Sequence, residues 1–372
     1  MSLSSPATIT IDLDAIRHNV GVVRGLLSQQ TRLYAVVKGD AYGTGIIEAA
    51  ETIIGAGTDA LAVGDLSEAF LVRRQFAAIP ILIYGTYLPG DIADLARAGI
   101  WPTLFSPESV RAAIQAGEPM SVFLEVDCGF GRLGFTETEV AGILDALSSH
   151  SNVHVKGLYT HLGAVEDAQS VEVQMARFRE IGAMARRSGY ADLELMVASS
   201  RVIIGYPDLT LDAVNPGRLL YGLLEPPWRD LVDVRPAFRA VSTRLIQVKN
   251  LLPGRMLGYG EAHAETARPL RAGVAVLGFA AGLPRTMAGA PILIRGRRAS
   301  VLGLASMEHL LIDLSPVPDA AVGDEVILIG KQGMHEITGP EFSSAVGLTE
   351  LEALPRLGRG LRRVFFRDGV PA

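Results

Sequence analysis

The stretch Leu33-Tyr34-Ala35-Val36-Val37-Lys38-Gly39-Asp40-Ala41-Tyr42-Gly43-Thr44-Gly45 decides how the chain is read. An apolar, partly β-branched run delivers one lysine to the point where the pattern breaks into Gly, Asp and Tyr, as when a buried strand ends in a functional loop. Desolvation there disfavours the charged form of the side chain. The neutral amine is the form that attacks a carbonyl to make a Schiff base, so Lys38 is expected to hold an aldehyde cofactor. A single lysine past a strand is more often just solvated. The surrounding elements have to decide between the two readings.

Working outward from this stretch, amphipathic helical patterns such as Leu13–Leu27 and Ser67–Phe76 alternate with short apolar runs. Eight runs read as strands: Leu33–Lys38, Asp59–Val63, Pro80–Tyr84, Ile100–Leu104, Val122–Asp127, Val153–Thr160, Leu193–Ala198 and Leu211–Asn215. That number of strand-then-helix units fits a closed (β/α)₈ barrel, and no G-x-G-x-x-G follows the first strand to favour an open dinucleotide fold. After Asp233 the texture changes. Phe238–Leu252, Leu270–Phe279, Pro291–Leu304 and Glu325–Ile329 follow one another, with Gly-containing turns expected at Arg271-Ala272-Gly273 and Arg295-Gly296-Arg297. This reads as a second, all-β domain, and Ala7–Leu13 as a further strand ahead of the barrel. The fold class expected is therefore α/β, a (β/α)₈ TIM-type barrel followed by a mostly β carboxy-terminal domain. Its parts are a leading strand at 1–11 that pairs with the carboxy-terminal domain, a barrel at 12–232 and a β domain at 233–372.

The composition agrees with two domains. A chain of 372 residues is long for one core, and 49% hydrophobic content can fill two. No apolar run is long enough to cross a bilayer; the best, Val274–Leu283, is broken by Gly278 and Gly282. Met1–Ser5 lacks the basic and apolar regions of a signal peptide, so a cytoplasmic protein is expected. The single cysteine, Cys128, rules out an internal disulfide and a multi-cysteine zinc site. A net charge of −6 with both signs interspersed argues against nucleic acid as a partner.

In such a barrel the loops after the strands share one rim, so reactive residues should lie just past strand ends. Lys38 follows the first strand, Asp127 and Arg132 the fifth, and His161 the sixth. Ser199 and Ser200 follow the seventh and Asn215-Pro216-Gly217-Arg218 the eighth. Singly, these read as a structural histidine, helix caps and a solvated arginine. Together they offer an amine, a flat ring, a cation, hydroxyls and a glycine loop, a set suited to an aromatic aldehyde bearing a phosphate.

The stretches Val37–Gly45, Asp127–Gly134, Tyr159-Thr160-His161, Gly217–Gly222 and Gly258-Tyr259-Gly260, in this order, resemble the alanine racemase family across nearly the whole chain. The resemblance implies pyridoxal 5'-phosphate on Lys38, with Tyr42, Ser200 and the backbone at Gly217 on its phosphate and His161 facing its ring. Asn215 and Arg218 fall on the cofactor's wall. Arg132 falls near the cofactor's phenolic oxygen and the substrate carboxylate, and Met307 beside the substrate. It also implies a homodimer with shared sites, in which Tyr259 of one subunit completes the site of the other. Lys38 and Tyr259 would then be the two bases that a racemase needs on opposite faces of its substrate.

Several positions depart from the family pattern. Glu125 stands where a lysine, often carbamylated, usually lies seven residues before the arginine, and as an anion it is suited to orienting Arg132. Asn215 replaces an arginine beside the pyridine nitrogen, which removes a fixed positive charge and leads us to expect slower racemisation than in a typical member. Phe279, Ala280 and Ala281 fall in a segment that usually carries Tyr and Asp, and Ser306-Met307-Glu308 replaces Cys-Met-Asp. Arg359 falls near an expected phosphate-binding tyrosine, and Thr44 where histidine is common. The changes beside the substrate lead us to expect one other than alanine. Decarboxylation or aldol cleavage on the same scaffold, and non-catalytic binding of the cofactor, are the competing readings. Retention of both Lys38 and Tyr259 favours racemisation over the former, and the long β domain tells against the latter.

Overall fold

The computed structural model describes residues 6–254, 256, 257, 259 and 269–371. They form two compact units. One comprises residues 16–41 and 46–235; the other comprises the segment through residue 15, residues 42–45 and the chain from 236 onward.

After a first strand β1 (Thr8–Asp12), which belongs to the second unit, the chain lays down eight parallel strands. They are β2 (Arg32–Val36), β3 (Ala60–Val63), β4 (Ile81–Ile83), β5 (Trp101–Leu104), β6 (Met120–Glu125), β7 (Val153–Tyr159), β8 (Glu194–Ala198) and β9 (Ala213–Val214). Each pairs with the next, and β9 returns to β2 through Arg32↔Ala213 and Leu33↔Val214, so the barrel is closed. Each strand falls within a stretch marked by its apolar run or overlaps it closely. The runs are continuous rather than alternating because barrel strands are buried on both faces, as the wholly buried β3 and β4 show. Helices between the strands carry their own stops and starts. The Leu66–Gln75 helix opens on Asp65, whose carboxylate accepts the amides of Ser67 and Glu68, and closes with Arg73 and Arg74 in its last turn.

The second unit is built on β10 (Phe238–Leu251), β11 (Leu270–Val276), β12 (Pro291–Ile294), β13 (Arg297–Leu302), β14 (His309–Asp313), β15 (Glu325–Gln332), β16 (His335–Ile337), β17 (Arg362–Arg367) and β18 (Val370–Pro371). β10, β15, β12, β13, β14 and β11 pair in turn, all antiparallel, and β11 closes the ring on β10. β1 joins this unit, antiparallel to β10 and parallel to β17.

Two expectations for this half are corrected. Arg271-Ala272-Gly273 is not a turn but lies inside β11. Its glycine serves close packing, since a Cβ on Gly273 would come within 2.8 Å of a Leu245 methyl and 3.0 Å of a Leu314 methyl. The domain is mostly β, as expected, but not all β, because the chain forms helices at Gly339–Ala345 and Glu350–Gly360. Pro340 and Pro355 disguise them. The first proline sits in an opening turn, where no amide is missed, and Thr338 caps that helix; Thr349 and Glu352 form a capping box on the second. The Arg295-Gly296 turn does divide Pro291–Leu304, with φ of 50° and 69°. Among the described residues no helix is long and apolar enough to cross a membrane.

Candidate active site

Because the barrel strands run parallel, their carboxyl ends open on one rim, and Lys38 stands there just past β2. The backbone that carries it is unusual. Gly39, Asp40, Ala41 and Tyr42 all have positive φ, from 52° to 69°, and so form a left-handed turn. Gly39 adopts this at little cost, whereas each L-residue costs roughly 1–2 kcal/mol. Glu68 holds the turn: its two carboxylate oxygens accept the amides of Gly39 (3.1 Å) and Asp40 (2.6 Å). Asp40 in turn accepts the amide of Ile46 at 2.9 Å. Gly64, past β3, leaves room for the lysine stem, since a Cβ there would lie 2.9 Å from Lys38 Cβ.

Lys38 is exposed at the rim, although protein atoms gather around its amine. Desolvation first, and then the charge of Arg132, lower its pKa below the ordinary lysine value, with Glu125 acting in the opposite direction. The amine faces the ring of Tyr84, 5.6 Å from the ring centre. Tyr84 follows β4; its hydroxyl accepts from Asn215 Nδ2 at 3.3 Å, and its ring meets Tyr159 edge-on at 5.7 Å. Tyr159 donates to buried Glu125 at 2.9 Å. Burial pushes the Glu125 carboxyl above its ordinary value despite Tyr159, Arg132 and Lys38. Arg132 reaches Glu125 only at 4.0 Å, and its guanidinium lies over Phe130, 4.7 Å from that ring's centre. Asp127 shapes the loop carrying both, accepting the amides of Gly129 (2.9 Å) and Gly131 (3.0 Å).

His161 packs edge-on to the same Phe130, with the ring centres 4.9 Å apart. Burial, then the charges of Arg132 and Lys38, pull its pKa from an ordinary 6.5 down to about 4. The folded protein therefore holds a neutral imidazole where the unfolded chain would begin to protonate. The unfolded state binds the extra proton between pH 6.5 and about 4, so this contribution to stability is complete above 6.5 and declines as pH falls. Denaturant titrations across that window should show a slope of up to one proton, which His161→Asn should flatten. A slope unchanged in the variant would assign the loss to other groups.

On the far side Ser200, buried in the first turn of Ser200–Gly205, accepts the amides of Gly217 and Leu219, each at 3.1 Å. Its hydroxyl hydrogen is then the donor it has to offer. Arg218 Nη1 donates to both Glu225 oxygens, at 3.0 and 2.9 Å, which draws it to that carboxylate. Lys38, Arg132, His161, Ser200, Asn215 and Gly217 thus belong to the barrel unit.

Tyr42, at the end of the left-handed turn, groups with the second unit, as do Tyr259, Met307 and Arg359. Tyr259 is exposed, with the Arg285 guanidinium 5.8 Å from its ring centre; Gly258 and Gly260 beside it lie outside the described residues. Met307 is exposed too, and its carbonyl accepts the amide of Ala280 at 3.0 Å, which brings together two segments that depart from the family pattern. Arg359 lies in the Glu350–Gly360 helix. Two residues of the barrel site go unmarked in the sequence. Tyr84 could have been found by its place just past a barrel strand; Glu68 reads only as part of an amphipathic helix.

Residues 11–225 match the family model described as alanine racemase, N-terminal domain, and residues 239–365 match that of alanine racemase, C-terminal domain. The chain is 30% identical to an alanine racemase of Halothermothrix orenii over 98% of this chain and 97% of that protein. It is 33% identical to one from a Geobacter species, over 97% and 99%. Among solved structures, alanine racemase from Bacillus anthracis with bound L-Ala-P superposes with a TM-score of 0.92 at 27% identity, covering 100% of this chain and 98% of that one.

Proposed function

The chain belongs to the alanine racemase family, and from that premise we propose that it interconverts the L and D forms of alanine or another small to mid-sized amino acid, with pyridoxal 5'-phosphate held on Lys38. The observation that carries this reading is the placement of Lys38 at the barrel rim, on a left-handed turn held by Glu68 and with its amine 5.6 Å from the centre of the Tyr84 ring. The donor set suits the cofactor: an amine biased toward its neutral form, a neutral imidazole, an asparagine amide, a cation and a serine hydroxyl beside a glycine. When bound, pyridoxal phosphate supplies the electron sink for charge left on the substrate's α-carbon.

The residues divide the remaining work. Ser200, with Gly217 beside it and Tyr42, holds the phosphate; His161 lies against the ring, and Asn215 meets the ring nitrogen without donating a full proton. Arg132, braced on Phe130, binds the substrate carboxylate as a fixed cation, and Met307 borders the substrate. Arg218 supports this wall through its pair with Glu225. Lys38 Nζ takes or returns the α-proton on one face. The Tyr259 hydroxyl serves the other face from a second copy of the chain, so the working enzyme is a homodimer with shared sites. Two opposed groups are needed because one base cannot deliver a proton to both faces of a substrate fixed by its carboxylate.

The substrate is tested by following optical rotation over a panel of L-amino acids with the purified enzyme. Decay of rotation to zero is expected for one or a few small to mid-sized members. Retention of rotation by every member would refute the racemase reading. A preference for alanine would show that Phe279, Ala280, Ala281 and Glu308 leave the substrate of the family unchanged.

A further inference from the structure

Tyr84 makes contacts that none of the roles above uses. Its own amide extends the barrel pairing by donating to Val63 O at 3.1 Å, and its ring is braced by Tyr159, itself bonded to buried Glu125. The group so fixed meets two members of the site at once, with its ring face toward Lys38 Nζ and its hydroxyl on Asn215 Nδ2. An asparagine amide turns about a broad, two-fold torsion and offers either its oxygen or its N–H to a neighbour. By taking one N–H, the Tyr84 hydroxyl holds the amide in one of these orientations.

We propose that Tyr84 is a positioning residue: by accepting the Asn215 amide it fixes which edge of Asn215 faces the cofactor ring, while its own ring walls the Lys38 amine. The inference rests on the reading of Asn215 as a cofactor contact. Tyr84→Phe removes only the hydroxyl and keeps the ring that packs on Tyr159, so the fold is not at stake.

The experiment compares holoenzyme carrying Tyr84→Phe, Asn215→Ala or both. It reads the cofactor's dissociation constant on dilution and the position of its visible absorption band, alongside kcat and KM. Each single change should weaken retention roughly three- to tenfold, the equivalent of one hydrogen bond, and move the band in the same direction. The double variant should be no worse than the weaker single one, because the second change removes nothing further. Multiplying effects, or an unaltered Tyr84→Phe, overturn the proposal. A marked Asn215→Ala beside a silent Tyr84→Phe rejects the pairing alone, whereas a silent Asn215→Ala beside a marked Tyr84→Phe rejects the cofactor role of Asn215 as well.

Discussion

Lys38→Ala is expected to lower racemisation by more than about a thousandfold, because in the proposed mechanism the change removes both the covalent anchor and one of two proton-transfer groups, the latter alone worth about 10²–10⁴. The protein should still fold. The Lys38 side chain extends into the barrel mouth past Gly64, and the turn beyond it is held by Glu68 rather than by the lysine. The purified variant should therefore lose the absorption of covalently attached cofactor while its unfolding midpoint, measured without cofactor, stays near that of the parent. Lys38→Arg should fail as completely, since a guanidinium does not give up its proton to become a nucleophile. Substantial activity in either variant would remove Lys38 from the centre of the reaction.

Tyr259→Phe should have the second largest effect, a loss of about 10²–10⁴ in racemisation, with a signature that a mere packing defect does not produce. In deuterated water one enantiomer should still exchange its α-hydrogen, through Lys38, without inverting. The other should neither exchange nor invert. Equal loss of exchange from both enantiomers would sink the two-base assignment. The same variant tests the sharing of sites. In a two-fold dimer of mixed Lys38→Ala and Tyr259→Phe subunits, one of the two sites regains both intact residues. Exchange of subunits between two inactive preparations should thus restore roughly a quarter of parental activity. No recovery, with mixed dimers demonstrated, would place Tyr259 in its own subunit's site or outside the site.

Most of the barrel was legible because its signal is redundant. Each barrel strand is centred on a short apolar run and followed by a helix, several of which open on a polar cap, and the reactive residues fall where parallel strands end. The resemblance added Tyr259 and singled out Ser200 from the pair Ser199 and Ser200, both already marked by their place past a strand. What stayed illegible depends on contacts between residues distant in the chain. Glu68 is 28 residues from the amide it holds most closely, and no local pattern separates it from a solvated helix carboxylate. Tyr84 meets Asn215 across 131 residues. Gly273 looks like a turn because the sequence does not show Leu245 and Leu314 closing on it. The late helices were hidden for a different reason. Each contains a proline, Pro340 or Pro355, although a proline in an opening turn costs a helix nothing, and the second is carried by its capping box and apolar face.

The turn after Lys38 has a consequence in the handedness of its own building blocks. At Ala41, with φ of 52° and ψ of 51°, the backbone sits in the region that a D-residue prefers and an L-residue avoids. Nearly everywhere else a chain of L-residues is most comfortable in its own hand. Here, beside the lysine assigned to making mirror-image amino acids, the backbone takes the mirror-image form. A chain assembled by semisynthesis with D-alanine at position 41 would carry its strain-free enantiomer at the point where the anchor is set.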